Sequence, residues 1–349
     1  MEVKSILKKK SIEGILFFSP ENIRYLTGFS GSEGYLLVDE DEHLLLVDSR
    51  YITQARDEAW GCRVSQVEKG IVGVAGQVSS LGFRRLGFEA QGISVARFEQ
   101  LQKALEKMEL VPIKDELERL RGSKTAEEMA WMREAIQVAE GAWQECQVLV
   151  KPGAQEADLA LELDCRMKKR GAERMAFDTI VASGPRAALP HAQPTTRSLE
   201  QGDLLLFDFG CRFRGYCSDE SCTVIVGRAT DEQRHIYGIV KDAHDRAIEA
   251  VRPGVKLAAI DAAAREHIDQ AGHGAHFGHG TGHGIGLGVH EWPVVGKDSP
   301  DVAEEGMVFT IEPGIYIPGW GGVRIEDIVV VIADGCEVLT AISKDLTVV

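Results

Sequence analysis

Two stretches decide how this chain is read: LLLFDFGCRFRGYCSDESCTVIV, residues 204–226, and VFTIEPGIYIPGWGGVRIEDIVVV, residues 308–331. Each holds two carboxylates in or beside apolar runs, with a glycine-rich reversal between them. The pairs are Asp208 with Asp219 and Glu312 with Glu326. Leu204–Phe207 and Cys222–Val226 read as strands. Gly210 and Gly215 permit the first return. Pro313, Gly314, Pro318, Gly319, Gly321 and Gly322 permit the second. Two hairpin-like returns would set the carboxylates side by side in pairs.

Between them lies HGTGHGIGLGVHE, residues 279–291, whose glycines allow close backbone approach around the imidazoles. His283 is taken as the fifth member of the set. Four carboxylates and one imidazole make a mostly hard ligand set, suited to manganese, cobalt, zinc or iron and not to a thiolate site. Crowded carboxylates repel one another unless a cation compensates, and bridging carboxylates hold two ions roughly 3.5–4 Å apart. The residues by themselves therefore point to two-metal hydrolysis.

Around this set stand several supporting candidates. His279 and His290 flank His283, and His191 lies in ALPHAQPTT ahead of the first carboxylate strand. All three can hold substrate or steady a tetrahedral intermediate without touching metal. Arg324 stands two residues before Glu326, so strand alternation turns both the same way. There it can support a ligand or meet a substrate carboxylate. Tyr316 is a pocket wall, a proton-sharing hydroxyl or a core residue. Asp203, Glu220 and Asp327 are expected to be supporting or exposed, and His43, His235, His244 and His267 carry no signal. GHGIGLG is not a nucleotide loop: no GKS or GKT follows, and no strand-led GxGxxG frame is present. Ser183 lacks a GxSxG frame.

The chain has 349 residues, 44% of them apolar, and a net charge of −15. It is long enough for two domains. The acidity argues against a nucleic acid or an anionic membrane surface as partner. Seven cysteines without a CxxC pair, and a basic start, MEVKSILKKK, that leads into no apolar export core, favour free thiols and a cytoplasmic location.

Residues 1–120 read as an α/β domain, with strands near 14–18, 35–38, 44–47 and 86–89 and helices near 52–60 and 97–107. Asn22–Gly34, NIRYLTGFSGSEG, reads as a turn-rich loop. Residues 121–349 form the second domain. Thr125 and Glu128 have capping-box spacing, and a long helix should follow to about residue 149. An internal repeat is visible. Val150-Lys151-Pro152-Gly153 and Val251-Arg252-Pro253-Gly254 each follow a long helical segment, 125–149 or 232–250. Each then precedes a second helix, near 155–170 or 257–270, and one carboxylate pair. Two similar halves would place the pairs across a pseudo-two-fold axis.

With FDFG…CSD, HGTGHGIGLGVHE, IEPGIY and RIED in place, the chain resembles the methionine aminopeptidase and prolidase superfamily, the pita-bread metallopeptidases. NIRYLTGFSGSEG and DSRY resemble the N-terminal domain of its creatinase/prolidase members. The resemblance implies an α+β chain: a creatinase/prolidase-like α/β domain, then a pita-bread catalytic domain. It implies metal ligation by Asp208, Asp219, His283, Glu312 and Glu326, with His191, His279 and His290 as catalytic histidines and Glu312 as proton carrier. Arg324, Tyr316 and His290 are implied for substrate binding. It also implies two divalent ions, manganese first, cleavage of an Xaa-Pro bond in dipeptides or short peptides, and a homodimer in which Tyr25–Ser32 walls the partner's pocket. Alternatives are an Xaa-Pro aminopeptidase acting on longer peptides and a non-catalytic peptide-binding relative. One departure stands out. Where the branch carries a Thr-Arg-Thr-like run, this chain has Ser221-Cys222-Thr223, a small thiol in place of a large cation.

Overall fold

The structure, a computed structural model, describes residues 3–349, and of Asp115 only the backbone. Met1 and Glu2 of the basic start lie outside the described residues. The chain divides into two compact units, Met1–Arg121 and Gly122–Val349.

In the first unit, apolar segments line up as one six-stranded mixed sheet. Its order is Arg63–Gln66, His43–Val47, Tyr35–Asp39, Gly14–Phe17, Arg85–Glu89, Glu109–Ile113. Gly14–Phe17 is central, antiparallel to Tyr35–Asp39 and parallel to Arg85–Glu89. Its four residues are all buried, as a strand covered on both faces requires. The expected loop at Asn22–Gly34 is corrected here. Pro20–Thr27 is a helix, with Ser19 accepting from the Asn22 amide at its start, Pro20 in its first turn, and Gly28 at φ +76° closing it. Serine, proline and glycine were punctuating a helix rather than a loop.

The second unit is built twice over. Thr125 and Glu128 close the expected capping box on the helix Ala126–Cys146, and Thr230 with Gln233 closes another on Asp231–Ala250. The first helix buries Met132, Ala135, Ile136, Ala139 and Trp143, leaving Met129 only half-covered. Each long helix is followed by a turn at the Pro-Gly and a second helix, Glu156–Lys169 or Leu257–Gln270. Gly153 and Gly254 sit at φ +88° and +82°, where a side chain would be strained. The hydrogen bonds repeat as well. Gly153 N donates to Leu199 O and Gly254 N to Ala303 O, while Leu199 N donates to Ala154 O and Ala303 N to Val255 O. Two halves that share capping, turn and pairing partners are a true repeat.

Each half also carries a sheet. In the first, Ile180–Ser183, Leu204–Phe209 and Glu220–Ile225 pair antiparallel in that order, and the C-terminal Thr347–Val348 joins the Glu220 strand in parallel. In the second, Gly282–Gly284, Val308–Ile311 and Asp327–Ile332 follow the same antiparallel order. The sheets meet where Glu326 N donates to Ser221 O. Two apolar cores hold the helix pairs against the sheets, and the one under the second pair also takes in Ile180, Leu204, Leu206 and Ile225 of the first sheet. Among the described residues no helix is long and apolar enough to cross a membrane. All seven cysteines carry free thiols.

Candidate metal centre

Strand register places the carboxylates. In the first half Ser221 pairs with Asp208, so Asp219, two residues earlier, sits at the mouth of the same pair of strands. In the second, Ile311 pairs with Asp327, which sets Glu312 and Glu326 together at the equivalent end. A short hairpin, Cys211–Phe213 with Tyr216–Cys217, fills the first return, and Gly314–Ile317 with Gly321–Arg324 fills the second. All five expected residues line one cavity of about 610 Å³, which also takes in His191, His279, His290 and Arg324.

Asp219, His283 and Glu326 each offer a ligand atom within 4.8 Å of the others. His283 is oriented for the task. Its Nδ1 lies 3.1 Å from Gly284 O, so Nδ1–H donates to the carbonyl and the Nε2 lone pair faces Asp219 Oδ2 at 3.6 Å and Glu312 Oε1 at 3.4 Å. Asp208 Oδ1 and Glu326 Oε1 are buried with no hydrogen-bond partner among the described residues. Burial pushes the Glu312 carboxyl up to about 8, with Asp208 adding to the rise. Asp219 and Glu326 are also raised, first by burial and then by the neighbouring carboxylates. Burial pushes His283 down to about 4. Orphaned carboxylate oxygens, mutual repulsion and a neutral imidazole form a donor set that a divalent cation would satisfy at once. The residues therefore fit metal.

Arg324 organises the surround. The guanidinium is 3% exposed. Its Nη2 donates to Asp208 Oδ2 at 2.5 Å, its Nε to Ser221 Oγ at 2.8 Å, and its Nη1 to both Pro190 O at 3.1 Å and Tyr316 Oη at 2.9 Å. Ser221 Oγ in turn donates to Glu326 Oε2 at 2.6 Å. One fork thus touches a carboxylate of the first half, the serine behind Glu326, and the peptide next to His191. Tyr316 passes the chain on. Its hydroxyl lies 2.9 Å from His279 Nε2, and His279 Nδ1 lies 2.7 Å from Gly280 O. The imidazole is neutral, pushed down to about 4 chiefly by burial, so Nδ1–H donates to the carbonyl and Tyr316 donates to Nε2. The His290 ring packs edge-on against His283, centroids 4.3 Å apart. His191 is exposed at the cavity wall.

Other residues contribute that carried no sequence signal. Asp261, on the second helix of its half, is 1% exposed and accepts from Thr281 N and Oγ1 at 3.1 and 2.8 Å. It also pairs with Arg265, whose Nη2 donates to His279 O at 2.7 Å. Asp261 therefore holds the segment between His279 and His283. Glu156, on the matching helix, accepts from Ser183 and Thr195 and pairs with Arg186. An acid on a helix surface reads as solvated until the loop it anchors is known. Asp203, Glu220 and Asp327 prove supporting and buried rather than exposed. His244, read as carrying no signal, is 2% exposed, with Nε2 3.1 Å from Asp327 Oδ2. Cys222 packs into the core beside Trp143 and Phe207, on the strand face opposite Ser221.

Comparison with known proteins agrees with this geometry. Residues 130–333 match the model of metallopeptidase family M24, and residues 2–122 that of the Creatinase/Prolidase N-terminal domain. The chain is 37% identical to an Xaa-Pro dipeptidase of Pyrococcus furiosus, over 97% of both chains. It superposes on an Xaa-Pro dipeptidase from Bacillus anthracis with a TM-score of 0.94 at 39% identity, covering 99% of this chain and 97% of the other. An X-Pro aminopeptidase from Thermotoga maritima gives 0.89 at 36% identity, with 97% and 98% covered. With two such halves closing on four carboxylates and a neutral imidazole, the chain belongs to metallopeptidase family M24.

Proposed function

We propose that this chain is a metal-dependent peptidase that hydrolyses the Xaa-Pro bond at the N-terminus of dipeptides or short peptides. The observation that carries the reading is the convergence of Asp208, Asp219, His283, Glu312 and Glu326 on one cavity, with His283 Nε2 turned to the carboxylates. The substrate class comes from the relatives, two of which are named Xaa-Pro dipeptidases. Residues 121–349 carry the chemistry, and residues 1–120 form the creatinase/prolidase-like domain.

In this reading the five residues hold two divalent ions, manganese first and cobalt, zinc or iron as alternatives. Bound there, such ions lower the pKa of water and polarise the scissile carbonyl. The chain's own residues do the rest. Glu312 carries a proton from the attacking water to the leaving proline nitrogen. His279, His290 and His191 line the wall facing the reacting carbonyl and the proline. Arg324 holds Asp208, Ser221 and Tyr316 in place and keeps one Nη2 hydrogen over for substrate. The chain acts as a homodimer in the cytoplasm, with Tyr25–Ser32 walling the partner's pocket. Light scattering tests the dimer.

A second reading, trimming of longer Xaa-Pro peptides, is favoured by the Thermotoga maritima relative, named an X-Pro aminopeptidase. One experiment separates the readings. Chelated protein is reconstituted with manganese or cobalt and assayed on Xaa-Pro dipeptides and on longer Xaa-Pro peptides, with creatine as control. Dipeptide cleavage that returns with metal supports the first reading, and preference for longer peptides the second. Absence of any metal-dependent peptide cleavage rules out both.

A further inference from the structure

Glu220 and Asp327 directly follow Asp219 and Glu326, and they open the two inner strands that meet between the halves. They are equivalent positions of the repeat, and both are buried, 1% and 5% exposed. Both turn to one side chain. Lys344 Nζ lies 2.5 Å from Glu220 Oε1 and 3.2 Å from Asp327 Oδ1, with 7% of its side chain exposed. Its backbone is held in place, because the Tyr237 hydroxyl donates to Lys344 O at 3.0 Å. The C-terminal strand that follows pairs Thr347 with Val224 and Val348 with Ile225, so it delivers Lys344 along the edge of the Glu220 strand.

The seam between the two inner strands is narrow. On one side Glu326 N donates to Ser221 O and Ser221 Oγ to Glu326 Oε2. Lys344 closes the other side. Two buried carboxylates sharing one ammonium are held at a set spacing, whereas the same two without it repel and separate. The residues before them in sequence are Asp219 and Glu326, two of the three that converge most closely with His283.

We propose that Lys344 is a positioning residue of the metal centre: its ammonium, shared by Glu220 and Asp327, sets the spacing of Asp219 and Glu326 across the junction of the two halves. The inference rests on the metal-binding reading given above. A bare electrostatic role makes the opposite forecast. A nearby cation repels divalent ions, so removing it tightens metal binding, whereas loss of positioning weakens it.

The test uses the full-length chain, stripped of metal, as wild type, Lys344→Met, Lys344→Arg, and Lys344→Met combined with Cys222→Arg. Cys222 shares a strand face with Glu220 and opens on a cavity of about 210 Å³ beside Trp143 and Ile342, which can take the relocated cation. Manganese affinity is read by competition with a chromophoric chelator, with thermal melting alongside, and kcat and KM are read on an Xaa-Pro dipeptide. Lys344→Met is expected to bind manganese about 10-fold or more weakly. It should lower kcat at saturating metal and leave KM within about twofold. Lys344→Arg should recover most of the affinity and the Cys222→Arg combination part of it. Unchanged or tighter manganese binding by folded Lys344→Met overturns the proposal. If that variant does not fold, Lys344→Met with Glu220→Gln removes one buried charge with its partner. Weak metal binding there supports the proposal, and wild-type binding overturns it. Because affinity is read without substrate, wild-type protein that binds manganese yet cleaves no Xaa-Pro peptide refutes the substrate reading alone.

Discussion

Tyr316 shows what a single hydroxyl does in this site. It accepts from Arg324 and donates to His279, so it transmits the orientation of the guanidinium to an imidazole in the loop ahead of Gly282–Gly284. Burial pushes its own pKa up to about 12, which keeps it a donor at neutral pH. Tyr316→Phe should lower kcat about 10-fold with KM changed less than about twofold, because the wall keeps its shape while His279 loses its partner. Steady-state kinetics on a dipeptide checks this. A smaller loss from Arg324→Lys in the Tyr316→Phe background than in wild type would show that the two act as a unit, whereas equal losses would show that they act independently. At this scale the convergence of the five candidate ligands on one cavity was legible because residue type and spacing carry it. Glu220, Asp327, Asp261 and His244 were not. Whether a charge is buried depends on what packs over it, and those neighbours lie far away in sequence.

The elements that matter most are the two helix pairs, because each second helix anchors the loop that carries a histidine of the site. Glu156 holds Ser183 and Thr195 on either side of His191, and Asp261 holds Thr281 between His279 and His283. Glu156→Ala leaves Arg186 and two backbone amides without their acceptor. It should destabilise the protein by about 3 kcal/mol, read from urea unfolding. Asp261→Ala should instead show first in catalysis, with kcat reduced more than about 10-fold, since the segment it frees carries His283 itself. Measuring melting temperature and kcat on both variants separates the two effects. The long helices and the Val-x-Pro-Gly turns were readable beforehand. Capping residues, an apolar stripe and a left-handed glycine are local signals, and local energies suffice to express them. Pro20–Thr27 misled for the same reason: a short helix and a tight loop share their punctuation.

For the whole molecule, the metal-free site is a store of repulsion that pH reveals. The Glu312 carboxyl is raised to about 8 in the fold from an ordinary value of 4.5. Its contribution to stability is complete below the unfolded value and is lost as pH rises through about 8. His283 and His279, lowered from 6.5 to about 4, contribute the other way, with stability lost as pH falls from 6.5 towards 4. Between pH 6.5 and 8 those two imidazoles stay neutral while Glu312 ionises. His244, raised against the pull of burial by its carboxylate partners, loses its contribution in the same direction. Chelated protein should therefore melt at progressively lower temperature across that window. Manganese should flatten the slope, and scanning fluorimetry with and without chelator checks it. Metal uptake at pH 7 should also release protons, read by calorimetry in buffers of different ionisation enthalpy. A site that takes up no metal would show neither effect.

From its sequence alone the chain determines two domains, an internal repeat, the family resemblance and the five candidate ligands. Each of these is written in periodicity, turn chemistry or the type and spacing of neighbouring residues. The tertiary structure alone decided how the two halves are joined. Arg324 reaching Asp208 and Lys344 reaching Glu220 are contacts between residues more than a hundred positions apart, and Lys344 brings Asp327 into the same group. No local rule encodes them. They arise because closing two similar sheets on one another buries more charge than the ligands can balance, and the fold must bring a partner to each.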